Sequence, residues 1–201
     1  MSIGAQEGHL LPQFTMDHLG TSFKVILVDS VREIGSDKDD PEIIIPDESG
    51  LHKAISWQRA IDPRKLTGGD IRYLRKSLGM KAKELAASLD ISPEYLSRCE
   101  AGTKVMAGNV EKMLRLTILL EIFYVLDKAT ERNCSQALRA RVKAGMSIMR
   151  HLVREMKIKP VSDANSVTTY SFTRRRVDLS NEGGTVFFAN DDDCGWLEAA
   201  A

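Results

Sequence analysis

Between residues 66 and 160 apolar side chains recur every three to four positions, whereas on either side they alternate or gather in short β-branched runs. The first spacing is that of helices and the second that of strands. Phe23 to Val31 (FKVILVDSV) and Glu42 to Pro46 (EIIIP) read as two strands of a small sheet, parted by an acidic loop that starts at Gly35. Leu51, Ala54, Ile55, Trp57, Ala60 and Ile61 lie close to helical spacing, and this run stops at Asp62-Pro63 because the residue before a proline is pushed out of the helical region. Residues 1–22 mix glycine, histidine and polar residues without a period and are expected to form a flexible lead.

Within the helical stretch the start and stop signals are dense. Thr67-Gly-Gly-Asp70 opens a helix with Ile71, Leu74 and Leu78 on one face, and Gly79 closes it. Ala82 to Leu89 is a second short helix, followed by Asp90 where a left-handed turn residue is wanted. Ser92-Pro93-Glu94 supplies an N-cap, a proline at the first helical position and an acid suited to the helix dipole, so a third brief helix runs to Ala101-Gly102. Asn109 is expected to cap a longer apolar helix from Val110 to about Lys128, and Ser135 to Lys157 repeats apolar residues up to Pro160. After that, Val167 to Leu179 alternates, Asn181-Glu-Gly-Gly184 reads as a turn, and Thr185 to Ala189 is apolar, which together suggest a β-hairpin. The terminal Leu197-Glu-Ala-Ala-Ala201 is set aside as an appended tail foreign to the fold. The fold expected is mainly α with small β elements.

The chain has 201 residues, 43 % hydrophobic and 28 % charged, enough for a buried core and too apolar for disorder. Its 28 basic and 28 acidic side chains cancel, so any attraction to a polyanion must come from uneven placement. Placement is uneven: residues 1–62 carry 11 acids and 5 bases, 131–159 carry 8 bases and 2 acids, and 160–201 carry 7 acids and 3 bases. Three cysteines, Cys99, Cys134 and Cys194, show no C-x-x-C spacing and no neighbouring histidine, which argues against a zinc site or a disulfide scaffold. The longest apolar run, near Leu116 to Leu126, is broken by Glu121 and is far shorter than the ~20 residues that cross a bilayer. No membrane span and no export signal are expected, and a cytoplasmic setting suits the cysteines.

A short helix, a tight turn and a second short helix with a capped, proline-started beginning suit a helix that projects into a groove ~12 Å wide. The residues Ile71-Arg-Tyr-Leu-Arg75, Lys83-Glu-Leu-Ala-Ala87 and Ile91-Ser-Pro-Glu-Tyr-Leu-Ser-Arg-Cys-Glu-Ala-Gly102 resemble the Xre family, the helix-turn-helix regulators of Cro and phage-repressor type. The likeness covers Leu66 to Leu120, a little over a quarter of the chain. It implies a five-helix DNA-binding domain over 66–128, before which the patterning places a β-containing module (23–65) and after which it places a basic amphipathic helix (129–160) and a hairpin with an acidic tail (161–201). It also implies a buried ion pair between Arg75 and Glu100 that clips the first helix to the end of the recognition helix, Ser92 to Ala101.

Carried over position by position, the resemblance assigns base contacts to Pro93, Glu94, Ser97 and Arg98, and phosphate contacts to Lys81, Lys83, Ser92, Tyr95 and Lys104. An arginine can bond G O6 and N7 together, worth roughly 1–3 kcal/mol of discrimination. Glu94 and Arg98 are also four apart on one helix, so a solvated ion pair worth ~0.2–0.5 kcal/mol is the alternative for both. Two departures stand out: family members often carry glutamine where this chain has Ala82 between Lys81 and Lys83, and Cys99 replaces a bulky aromatic. Cys99 reads as a small core residue rather than a redox sensor. The family implies a double-stranded operator as partner and a homodimer, because one recognition helix reads too few base pairs, with repression, including of its own promoter, as the usual mode.

The order of a β-rich N-terminal segment (Ile44-Ile-Pro-Asp, Gly50-Leu51) before Leu66-Thr-Gly also resembles MqsA-type antitoxin regulators, in which a small N-terminal module binds a protein partner. The zinc-binding cysteines of that group are absent from 1–61, so no metal is expected there. An antitoxin-like interaction module is therefore the alternative function. Arg139, Arg141, Lys143, Arg150, Arg154, Lys157 and Lys159 make the later helix basic, fit for a solvated face, phosphate or anionic lipid. His151 and Glu155 are at ligand spacing but are only two groups, Asp191-Asp-Asp193 reads as a solvated tail, and no catalytic motif or cofactor fingerprint occurs. No enzyme activity and no cofactor are expected.

Overall fold

The computed structural model describes residues 8–35, 41–130, 136–160, 167–176, 187–189 and 194–199. In strand β2 (Phe23–Ile34), Phe23, Val25 and Leu27 are buried while Lys24 between them is exposed, the two-residue alternation of a sheet with one covered face. Its neighbours are β1 (His9–Met16) and β3 (Glu42–Ile44), both antiparallel, and β4 (Thr168–Arg176), which runs parallel to it from Phe23↔Thr168 to Val28↔Thr173. β6 (Cys194–Glu198) pairs antiparallel with β4, and β5 (Phe187–Ala189) with β6, giving a six-stranded sheet in the order β1-β2-β4-β6-β5 with β3 beside the end of β2. A parallel pair cannot be joined by a tight turn. Here the connection holds every described helix.

Those helices are α1 (Glu48–Ile61), α2 (Gly68–Ser77), α3 (Ala82–Ser88), α4 (Pro93–Glu100), α5 (Gly108–Thr130) and α6 (Gln136–Arg154). The expected local signals act where they should. Thr67 and Asp70 form a capping box at α2, Asp90 turns the chain after α3 with φ 52°, and Ser92 accepts from Tyr95 N–H at α4. Gly79 (φ 68°) and Gly102 (φ 74°) follow α2 and α4 in the left-handed region, where a β-carbon would be strained. The inner face of the sheet, Phe23, Val25, Leu27, Tyr170, Phe172 and Trp196, joins Leu51, Ile55, Ile71, Leu74, Leu85 and Leu96 of the helices in one hydrophobic core. Phe23 packs edge-on against Tyr73 of α2 at 5.7 Å, and Trp196 Nε1 donates to Asp47 O just before α1.

Several expectations are corrected. His9–Met16 is a strand and not part of a flexible lead: Pro12, which has no N–H to give, sits where β1 and β2 slip register, opposite Asp29 (φ 47°). The partner of β4 is β6, so Val167–Leu179 and Thr185–Ala189 are not the two arms of one hairpin, and Leu197-Glu198 belongs to the sheet. The expected turn at 181–184 lies outside the described residues, as do Cys134 and Asp191 to Asp193. Residues 66–128 hold four helices and not five, with α1 and α6 packed onto α5 from outside that span. Asn109 is not the cap of α5, which begins at Gly108, and α6 ends at Arg154 short of Pro160, where Met156 N–H turns back to His151 O. Among the described residues no helix is long and apolar enough to cross a membrane.

Candidate nucleic-acid interface

Helix α4 is anchored by its apolar positions. Leu96 and Cys99, three apart, are buried, and this turns Pro93, Glu94, Ser97 and Arg98 outward, where all four are exposed. Glu94 and Arg98 make no ion pair with each other, and Arg98 has no carboxylate partner among the described residues. The guanidinium is therefore presented to solvent with all its donors unspent. Burial pushes the Cys99 thiol above its ordinary pKa, which keeps it a neutral core group.

The base of α4 is clamped by Arg75. Its Nε and Nη2 reach Glu100 Oε1 and Oε2 at 2.6 and 3.0 Å, while Nη1 donates to Met80 O at 3.0 Å in the turn between α2 and α3. One side chain thus ties three parts of the motif together. The carboxylate of Glu100 holds the Arg75 guanidinium above its already high ordinary pKa, so the guanidinium stays charged. Arg72 adds a bond from Nη2 to Glu100 O at 3.2 Å.

The residues expected at the phosphates surround this helix. Lys81, Lys83 and Lys104 are exposed, and Ser92 lies exposed at the cap of α4 with its hydroxyl proton still available. Lys81 gives its backbone N–H to Glu84 Oε2 at 2.7 Å, which fixes the start of α3 and leaves the ammonium outside. Tyr95 is half-buried: its phenolic oxygen accepts from Ala107 N–H at 2.9 Å, and Lys104 Nζ stands 4.8 Å from its ring centre. The phenolic O–H remains a donor. Ala82, which stands where glutamine is common, is partly buried against the core and makes no such bridge.

Beneath the motif lies a buried polar network that patterning did not single out. Asp70, fully buried, accepts from Arg59 Nη2 (2.9 Å), Thr67 N (2.9 Å) and both the N–H and hydroxyl of Ser22. Burial alone would raise its pKa, but these partners outweigh burial and hold it below the usual carboxylate range. Arg115 and Glu111 of α5, both fully buried, pair at 2.9 Å; Arg115 also donates to carbonyls of Arg59 and Ala60, and Lys65 Nζ meets Glu111 Oε2 at 2.7 Å. The network fixes the 62–67 connection, and with it the start of α2, against α1, α5 and the sheet. Thr67-x-x-Asp70 and Glu111-x-x-x-Arg115 carry spacings that could have signalled it.

Other candidate residues are scattered. Arg150, Arg154, Lys157 and Lys159 are exposed, while the side chains of Arg139, Arg141 and Lys143 lie outside the described residues. His151 Nδ1 and Glu155 Oε2 pair with each other at 2.9 Å on the surface and gather no third group among the described residues. No curated protein and no solved structure matches the chain. Residues 71–117 do match the family model described as Helix-turn-helix, over the same α2–α3–α4 unit that presents Arg98 and is clamped by Arg75. Residues 71–117 therefore carry a helix-turn-helix, an architecture of DNA-binding regulators that is consistent with the Xre resemblance.

Proposed function

We propose that the chain is a sequence-specific transcriptional regulator that reads the major groove with α4 and represses by occupying its operator, including one at its own promoter. The observation that carries this reading is the outward face of α4, where Pro93, Glu94, Ser97 and Arg98 are exposed together and Arg98 has no ion-pair partner among the described residues. Arg98 reads guanine through two parallel bonds and Glu94 accepts from cytosine N4. Ser92, Tyr95, Lys81, Lys83 and Lys104 hold the backbone and set register without reading sequence. Two copies bind as a homodimer, because two half-sites are needed to specify an operator.

The test is selection of bound duplexes from a random-sequence library, followed by binding of the selected and an unrelated duplex. Arg98→Ala is expected to cost roughly 1–3 kcal/mol on the selected duplex and little on the unrelated one. Equal losses on both would show that Arg98 does not read bases.

A further inference from the structure

Helices α5 and α6 each carry a second apolar row, turned away from the core. Leu114, Ile118 and Ile122 of α5 are buried, whereas Met113 and Leu120, seven residues apart, are half exposed. On α6, Gly145 and Leu152 are buried, whereas Met146 and Val153, each one residue further on, are more than half exposed. The two helices run antiparallel: the Phe123 ring leaves no room for a β-carbon on Gly145, and a β-carbon on Gly108 would meet Ile158 Cδ1 at 3.9 Å. At about 1.5 Å per residue, Met113 is then nearly level with Val153, and Leu120 with Met146. The rows also point the same way. Leu116, seven residues before Phe123, is on the flank of α5 that meets α6, and Met113 and Leu120 are the next row outward. In an antiparallel neighbour successive residues turn in the opposite sense, so the step from Gly145 to Met146, or from Leu152 to Val153, leads to that same outer side. Leu116 and Met149, both half-buried, lie between the rows. The four exposed side chains thus form one contiguous patch and not scattered singles.

The two rims of the patch differ in charge. Glu121 borders it on the α5 side, and Arg150 and Lys157, each four residues after a member of the α6 row, border it on the other. All three are exposed, and none has an ion-pair partner among the described residues. A lipid surface, or a partner of one charge, would suit one rim and oppose the other. A second copy of the chain suits both when the two-fold axis runs along the helices, because that axis lays α5 on the partner's α6 and the acidic rim against the basic one. An axis across the helices would lay α5 on α5 and set like charges together. From this charge pattern, and resting on the regulator reading above, which calls for two copies, we infer that Met113, Leu120, Met146 and Val153 seat the same four residues of a second copy in a four-helix contact. Leu120 then stands opposite the partner's Met146. Three of the four lie outside the matched residues 71–117, so the contact belongs to what this chain adds to the helix-turn-helix.

The test is sedimentation equilibrium of the full chain, Leu120→Glu, Met146→Lys, an equimolar mixture of those two, and Leu10→Glu. Leu10 is an exposed apolar residue of β1 and controls for added charge elsewhere. The expected result is twice the chain mass for the full chain and for Leu10→Glu. Leu120→Glu and Met146→Lys, each alone, fall to the single mass and keep the helical circular dichroism. Their mixture recovers twice the chain mass, because one contact of the mixed pair is native and the other sets a carboxylate against an ammonium. Variants that stay dimeric alone overturn the contact and leave the regulator reading standing. Variants that turn monomeric but do not pair when mixed overturn the seating of α5 on α6. A full chain of single mass, both free and on a duplex, overturns the second copy as occupant. Single mass joined to binding of phosphatidylserine vesicles that Leu120→Glu abolishes gives the patch to a lipid surface instead. Failure of a dimeric full chain to select any duplex overturns the regulator reading and not the contact.

Discussion

Arg75 and Glu100 are the residues on which the placement of α4 turns. Arg75 is 14 % exposed and Glu100 8 %, so truncating either one strands a charge that water reaches poorly. Arg75→Ala or Glu100→Ala is expected to lose about 3 kcal/mol of unfolding free energy, read from urea midpoints, with the double variant losing much less than the sum. Additive losses would mean that the two groups act separately. Asp62 makes a second claim, on pH. Burial opposes its ionisation, but bonds from Arg64 and Tyr170 outweigh burial and lower it to about 2 from an ordinary 3.8. A depressed carboxyl stabilises fully above the unfolded value and loses that contribution as pH falls through the folded one. Between pH 4 and pH 2 the protein should therefore lose on the order of 1–2 kcal/mol through this group. The pH dependence of Asp62→Asn should be flatter over the same window.

At the scale of elements, caps decide where the recognition helix begins. Ser92 Oγ accepts from Tyr95 N–H at 3.1 Å, and its exposure means that removal costs one capping bond and little packing. Ser92→Ala should destabilise by about 1 kcal/mol and speed amide exchange in the first turn of α4. An unchanged exchange rate there would show that Pro93 alone sets the start of the helix. These same local signals made the motif readable: Thr67-Gly-Gly-Asp70, Asp90, Ser92-Pro93 and Gly102 act within a few residues of their own position, and the elements fall where they indicate. The ion pair of Arg75 with Glu100 came only through family likeness, since nothing local joins residues so far apart in the chain. Strand β1 escaped notice because Gly8, Pro12 and scattered polar residues mask its alternation, and its pairing depends on the bulge at Asp29 in another strand. The partner of β4 was equally hidden, because register between remote strands is fixed by the shared inner face and not by either sequence alone.

For the whole molecule, the parallel pairing of β2 with β4 means that both ends of the described chain close over the helices. Trp196 of β6 is fully buried and bonds to Asp47 O, while Ser22, just before β2, bonds to Asp70 at the start of α2. The sheet therefore supports the helix-turn-helix through one continuous core and through a polar joint. A structure built in this way should unfold in one step. Tryptophan emission reports α1 through Trp57 and β6 through Trp196, and far-ultraviolet circular dichroism reports mainly the helices, so the two denaturation curves should coincide. Trp196→Ala, which empties a fully buried site, should lower stability by about 3–5 kcal/mol and move both curves together, although Trp196 belongs to no helix. If the helical signal instead outlasts the loss of the sheet in a separate transition, the helix-turn-helix stands without its sheet. The joint at Ser22 and Asp70 then positions α2 without stabilising it.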